Sequence, residues 1–364
     1  MQENTIYKSS DFLNQFMKKS FMQLGVNEED AKICAQILIT SDLRGIESHG
    51  IGRLRMYVDR IKKGLIETTN QSEIVRESPT TALIDGHHGI GMVIAYHAMR
   101  LAIQKAEEFG MGAVAVRNST HFGIDGYYPL MAVENNMIGT SFTNARPAVA
   151  PTFSGQPTLG TNPIAFGAPT DEAFPFLFDA ATSITQRGKI EVRNRQEKPV
   201  YDGWVVDNDG NPLENPGMIL DKLMKKEAAL LPLGGIEENS GSHKGYGLST
   251  IVEILSSSLQ SGAFLFGLSG YDENGKETRF RVGHFFQAIK VENFVEIDVF
   301  KKNIGNLLRQ LRSADKLPGQ SRIFTAGEKE HENQQRVLKE GVAINKNLYA
   351  DLKYIDDSLG LDLL

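Results

Sequence analysis

Apolar positions recur with helical spacing near both ends of the chain and with strand-like spacing between them. Phe12, Leu13, Phe16, Met17 and Leu24 line one side of a first helix that Ser9 or Ser10 can cap. Asn27, followed by Glu28, Glu29 and Asp30, opens a second, whose acids suit the positive end of the helix dipole. This helix should stop near Gly45, and the next near Gly64. After a polar segment over 67–78, the pattern predicts a short strand over 82–85 and a long helix over 92–109 that Gly110 ends. Short β-like runs follow at 112–117, 138–144, 164–169 and 174–180, with a helix at 126–135 and a Gly/Pro/Thr-rich loop at 147–163. Residues 198–216 read as loop or hairpin around Trp204. A strong helix at 245–260, a polar hairpin at 272–276, a strand at 282–291 and helices at 299–312, 328–341 and 346–352 complete the chain. Helix at both ends of a mixed centre suggests that the termini pack together beside a sheet.

Composition narrows the classes. The chain has 364 residues, 41% hydrophobic and 23% charged, as in an ordinary globular protein of one large domain or two to three smaller ones. A net charge of -6 without a long basic run gives no footprint for nucleic acid or an anionic membrane surface. No 18-residue apolar stretch and no signal-peptide pattern occurs. The lone Cys34 lies in an apolar helical run, which excludes an internal disulfide framework and a cysteine-rich metal site. A reducing, cytoplasmic setting is the simplest expectation.

The chemistry concentrates in four stretches. In Ser41–Tyr57, His49, Arg53 and Tyr57 stand four residues apart, so a helix there would put imidazole, guanidinium and phenol on one stripe. The same spacing also suits a solvated basic face with Arg55, Arg60, Lys62 and Lys63, and spacing alone does not choose. Asn118–Gly126 follows a strand and carries His121 in a glycine-bearing loop, a common place for catalytic groups. Asn144 and Arg146 follow the next strand and could reach the same sheet edge. Asp179 ends a strand before small hydroxylated residues, as a helix cap or as an acid that orients a histidine or a nicotinamide amide. Gly241–Gly247 (GSHKGYG) opens a helix beside Lys244, a phosphate cradle that lacks the Walker order. A dinucleotide fingerprint in its proper context, strand before glycines before helix, is missing, so a Rossmann domain is not expected.

The clusters RGIESHGIGRLRMY, NSTHFGIDGYY, LGTNPIAFGAP, FDAATS, HKGYGL and AGEKE, in order from about residue 8 to residue 350, resemble the malate/L-lactate/L-sulfolactate dehydrogenase family. This group, which includes ureidoglycolate dehydrogenases and 2,3-diketogulonate reductases, binds its cofactor without a Rossmann fold. The resemblance implies an α+β fold with a mixed sheet that binds NAD(P)H. Residues 1–75 and 298–364 would form a helical subdomain, and 76–297 the cofactor- and substrate-binding domain. It also implies a homodimer and a small 2-oxo or 2-hydroxy acid as substrate.

By the same resemblance Ser48 contacts substrate, Arg53 clamps a carboxylate, Tyr57 forms a pocket wall and Arg146 is a second substrate arginine. His49 and His121 compete for one acid/base role; our reading gives proton transfer to His49 and polarisation of the substrate oxygen to His121. Asn144, Thr161, Asp179, Ala180, Ala181 and Thr182 fall to the cofactor, with Ala180 where the family has Met and Asp179 also counted as catalytic. His243, Lys244 and Gly245 match the cofactor-phosphate segment, and Gly327 and Glu328 a P-G-E loop in which Ala326 replaces Pro. No metal site is expected, and residues 266–281 read as an insertion without assigned function.

The implied reaction is hydride addition to the carbonyl carbon of a 2-oxo acid while a histidine protonates oxygen. A histidine near its ordinary pKa would suit neutral pH. The run ATSITQRGKIEVRNR resembles the malate dehydrogenase branch, and two arginines fit a dicarboxylate, so malate/oxaloacetate is the expected pair. Other 2-oxo acids, a cyclic imine, or ligand binding without catalysis are the alternatives. NAD is the expected cofactor, with NADP left open.

Overall fold

The computed structural model describes residues 5–364, with the backbone alone for Arg195. In chain order the elements are β1 (Ile6–Lys8), α1 (Ser10–Gln23), α2 (Glu28–Leu43), α3 (Leu54–Lys62), β2 (Glu73–Glu77), β3 (Thr81–Asp85), α4 (Gly91–Phe109) and β4 (Met111–Ser119). Next come α5 (Tyr127–Val133), β5 (Met137–Thr143), β6 (Ile164–Ala168), β7 (Phe176–Ala180), α6 (Arg187–Arg195), β8 (Val205–Asp207), α7 (Pro216–Lys225) and β9 (Ala228–Leu230). The chain ends with α8 (Ser242–Ser256), β10 (Val282–Lys290), α9 (Ile297–Arg312), α10 (Glu328–Glu340), β11 (Val342–Ile344) and α11 (Lys346–Leu359).

A seven-stranded sheet runs β2-β3-β4-β10-β5-β6-β7. Its one parallel pair, β3 and β4, is joined by α4; the other neighbours are antiparallel. This is the mixed α+β sheet expected from the sequence, and it lacks the serial parallel crossovers of a doubly wound fold. The chain ends meet: β1 pairs with β11, with Ile6 opposite Ile344. The main core joins Phe16 and Phe21 of α1, Leu38 of α2, Met99 of α4, Phe286 of β10 and Ile355 of α11. A second, smaller core around Val149, Ile190, Val205, Ile219 and Leu230 belongs to the middle of the chain.

Local chemistry explains most boundaries. Ser9 accepts the Phe12 N–H and Asn27 the Asp30 N–H, capping α1 and α2. Gly110, at φ +89°, ends α4 in a left-handed turn that a Cβ would disfavour. Three expectations need correction. The stretch after His49 is not continuous α-helix: Ile51–Arg53 forms a 3-10 turn and α3 starts only at Leu54. Residues 67–78 contain β2, whose five residues are all exposed, so no apolar alternation announces it. The helix expected at 245–260 begins earlier, at Ser242, and ends at Ser256 before a separate 3-10 turn.

Candidate active site

The end of α2 holds the first catalytic candidates. Asp42 Oδ2 accepts the Ile51 N–H at 2.7 Å and so pins the turn that carries Ser48, His49 and Gly50. A Cβ at position 50 would overlap the Asp42 carboxylate, which is why glycine stands there. Burial pushes the Asp42 carboxyl up to about 8, against the pull of the Ile51 N–H. Ser48 Oγ lies 2.9 Å from His49 Nδ1, and Arg53 Nε donates to the Ser48 carbonyl.

His121 enters from the loop after β4. Thr120 anchors that loop to the start of α4 by accepting the Gly91 N–H and donating to the Gly89 carbonyl. The His49 and His121 rings stack 5.5 Å apart at 18°. Tyr57, fully buried, places its hydroxyl 2.6 Å from His121 Nδ1. The Gly123 N–H also reaches Nδ1, at 3.3 Å, and a backbone amide can only donate. Nδ1 is therefore the acceptor, and the neutral ring carries its proton on Nε2. The phenol stays protonated, because burial pushes its pKa far up.

Both histidines depart from the near-ordinary pKa expected from the sequence. Burial, reinforced by Arg53, lowers His49 to about 4. Burial, then His49, Arg53 and Arg60, pulls His121 well down. Both are neutral at pH 7 in the free protein. Beneath them His284, which sequence reasoning missed, bonds Ser119 and Thr143 and stacks on Phe122 at 4.5 Å. Nothing in its spacing marks it, since it sits mid-strand in β10.

Asp179 does not cap a helix through its own chain direction. At the end of β7 its Oδ2 accepts the Gly126 N–H at 2.8 Å, tying β7 to the loop that carries His121. Burial raises its pKa to about 6, opposed by that bond and by Arg44. Arg44, also missed, is buried with Nε and one Nη lacking a partner. Arg146 is exposed, and crowding by protein, with the charges of Arg187 and Arg53, lowers its pKa. Neither Arg53 nor Arg146 has a carboxylate within 4.0 Å among the described residues.

The cofactor candidates divide. Thr182 bonds the Thr161 carbonyl, and Leu233 N–H bonds the Thr182 carbonyl, so the run from Ala180 to Thr182 sits against 231–233. Gly245 in the first turn of α8 packs on Leu233, where a Cβ would strike its carbonyl. His243 and Lys244 stand exposed in that turn, on an open face of α8 that also carries Tyr246 and Ile251. Asn144 is placed elsewhere: buried, it donates to the Ser256 and Ala263 carbonyls and accepts from Gly283. Its polar atoms serve the scaffold. Gly327, at φ +95°, packs on the start of β7 at Pro175 and opens α10. Glu328 accepts from Thr325 and faces Arg312 at 3.6 Å, so it too is engaged internally.

A nicotinamide dinucleotide fits two features. Thr185 keeps a buried hydroxyl without a partner just beyond Thr182. Lys244, without a carboxylate within 4.0 Å among the described residues, supplies a free cation for phosphate next to amides of a helix start.

Comparisons with known proteins agree with this geometry. The family model for malate/L-lactate dehydrogenase matches residues 9–353. The chain belongs to that family. It is 43% identical to the malate dehydrogenase of Pyrococcus horikoshii over 362 residues, covering 100% of this chain and 98% of the relative. It is 40% identical to the L-sulfolactate dehydrogenase of Methanocaldococcus jannaschii, covering 94% of each. The crystal structure of malate dehydrogenase from Entamoeba histolytica superposes with a TM-score of 0.95 at 46% identity, covering 98% of this chain and 99% of that one. As a member of the malate/L-lactate dehydrogenase family, the protein is a hydroxyacid dehydrogenase that uses a nicotinamide cofactor.

Proposed function

We propose that the protein interconverts oxaloacetate and malate, with NAD as the working cofactor. One observation carries the reading: two stacked histidines, one with its tautomer set by Tyr57 and Gly123, stand beside Arg53, whose charge is felt in turn by Arg146. When bound, the nicotinamide supplies or takes up the hydride. Arg53 and Arg146 hold the two carboxylates and Ser48 steadies the carbonyl side. His121 donates Nε2–H to the substrate oxygen, and His49 transfers the proton. Since both rings are neutral beforehand, the entering dianion offsets the guanidinium charges and raises the His49 pKa, so acid and proton are taken up together. Asp179 acts through Gly126, positioning the His121 loop.

The outer face of α8 leaves Leu248, Ile251 and Ile254 exposed, which suits a homodimer interface of the kind the family resemblance implies. Light scattering on the purified protein reads that state directly. The buried free thiol of Cys34 suits a reducing, cytoplasmic address.

The test is the initial rate of NADH and NADPH oxidation with oxaloacetate, pyruvate, 2,3-diketogulonate and oxalurate in parallel. Fastest turnover of oxaloacetate with NADH is expected. Preference for another acid would overturn the substrate assignment and leave the family untouched.

A further inference from the structure

The segment from Phe266 to Arg281 is fastened against the stretch that carries Arg60 and against Arg146. It turns back on itself at Asp272–Lys276, where Tyr271 bridges to Glu277. Three contacts tie it to the segments that flank β2 and β3: Lys63 to Glu277 at 2.8 Å, Arg279 to Glu67, and His88 Nδ1–H to the Phe280 carbonyl at 2.9 Å. The result is that Phe280 is buried, with Gly270 packed on its ring so closely that a Cβ there would lie 2.6 Å from it.

Two guanidiniums face that ring. Arg60 lies 4.2 Å and Arg146 6.0 Å from its centroid. Arg60 is one helical turn beyond Tyr57 on α3, so it shares the side that meets His121. It has no carboxylate within 4.0 Å among the described residues, and the nearby Glu277 is engaged by Lys63. Burial and the charges of Arg146 and Arg53 lower its pKa to about 10, so it shares one electrostatic neighbourhood with both substrate arginines. Three crowded cations, none of them ion-paired to a carboxylate among the described residues, are costly unless an anion enters. One carboxylate leaves that charge largely uncompensated; two come close to balancing it.

We propose that Arg60, held against Phe280 by the 266–281 segment, joins Arg146 in binding the distal acidic group of the substrate and selects dianionic over monoanionic 2-oxo acids. The proposal rests on the substrate reading given above and adds a third cation to the dicarboxylate site. Arg60 is a binding residue here, where the sequence pattern alone also allowed a solvated face.

The test uses the full-length enzyme with NADH and two inert acids, oxamate (one carboxylate) and hydroxymalonate (two), titrated calorimetrically. Wild type, Arg60→Gln and Arg60→Lys are compared, with thermal melts confirming that each is folded. Loss of one charge-assisted bond predicts a fall of about 30-fold for hydroxymalonate in Arg60→Gln and about threefold or less for oxamate. Arg60→Lys should recover part of the hydroxymalonate loss. With oxaloacetate, the loss should fall mainly on KM. Equal weakening of both acids would show that Arg60 merely supports Phe280, and would overturn the proposal. So would no weakening, or a wild type that binds neither acid. Arg60-dependent hydroxymalonate binding without oxaloacetate turnover would sustain this inference and sink the malate reading alone.

Discussion

The proposed substrate end and the proposed cofactor end of the site are built on opposite plans. Around His49 and His121, nearly every polar group is already spoken for: Asp42 holds Ile51, Ser48 meets His49, and Tyr57 and Gly123 hold His121. Around Lys244 and His243 the side chains project from an open face of α8 with no carboxylate partner among the described residues. Groups that must sit within a fraction of an ångström of a reacting atom are locked before substrate arrives. A group that recognises a diffuse phosphate charge tolerates freedom, because a point charge works over a range of distances. Damage at the first end should therefore appear in kcat, and at the second in cofactor affinity.

The largest break should come from Gly50→Ala. With no room beside the Asp42 carboxylate, it should displace the His49 turn and lower kcat more than 100-fold; overpacking of this kind costs about 1–3 kcal/mol of stability. Steady-state kinetics and a thermal melt read both effects. Tyr57→Phe is gentler: it removes the hydroxyl at His121 Nδ1 and keeps the ring, so kcat should drop about tenfold with cofactor KM unchanged. At the open end, Lys244→Ala should raise cofactor KM about tenfold at low salt, less at high salt, with kcat held. A kcat loss there comparable to that of Tyr57→Phe would erase the contrast between the two ends.

The smallest effect expected is that of Asp42→Asn. The carboxyl is raised to about 8 when folded, against about 3.9 in an unfolded chain, so wild-type stability is full below pH 4 and declines as pH rises toward 8. Asparagine keeps an acceptor for Ile51 and does not titrate. The melting temperature of the variant should thus gain on wild type between pH 5 and pH 8, with activity close to normal. A loss that grows with pH would mean that Asp42 works as a carboxylate.

Legibility in the sequence followed the strength of local signals. The run from Met92 to Phe109 is long and periodic with a glycine stop, and it appears as α4 within one residue. By contrast β8 and β9 pair across an intervening helix over three residues each, which no local pattern encodes. The grouping of His49, Arg53 and Tyr57 was readable from spacing, although a 3-10 turn rather than a helix joins them. Arg60 hid among five basic residues, because its meaning depends on Phe280, 220 positions away by number. Asn144 misled for the converse reason: it lies at the right strand end but faces inward to Ser256 and Gly283. Desolvation of the histidines likewise depends on what covers them, and spacing does not report cover.

The central claim is that His49, neutral in the free protein, moves the proton while His121 orients the substrate oxygen. It is tested most directly by the pH dependence of kcat/KM for malate oxidation in wild type and His49→Ala. Oxidation needs the neutral base, which His49 already is well above a pKa of about 4. Above the Asp179 titration near pH 6 the profile should stay flat to pH 8, and His49→Ala should lose about 10²–10⁴-fold across that range. A wild-type limb centred near pH 6.5, or a His49→Ala variant with its rate intact, would contradict the account.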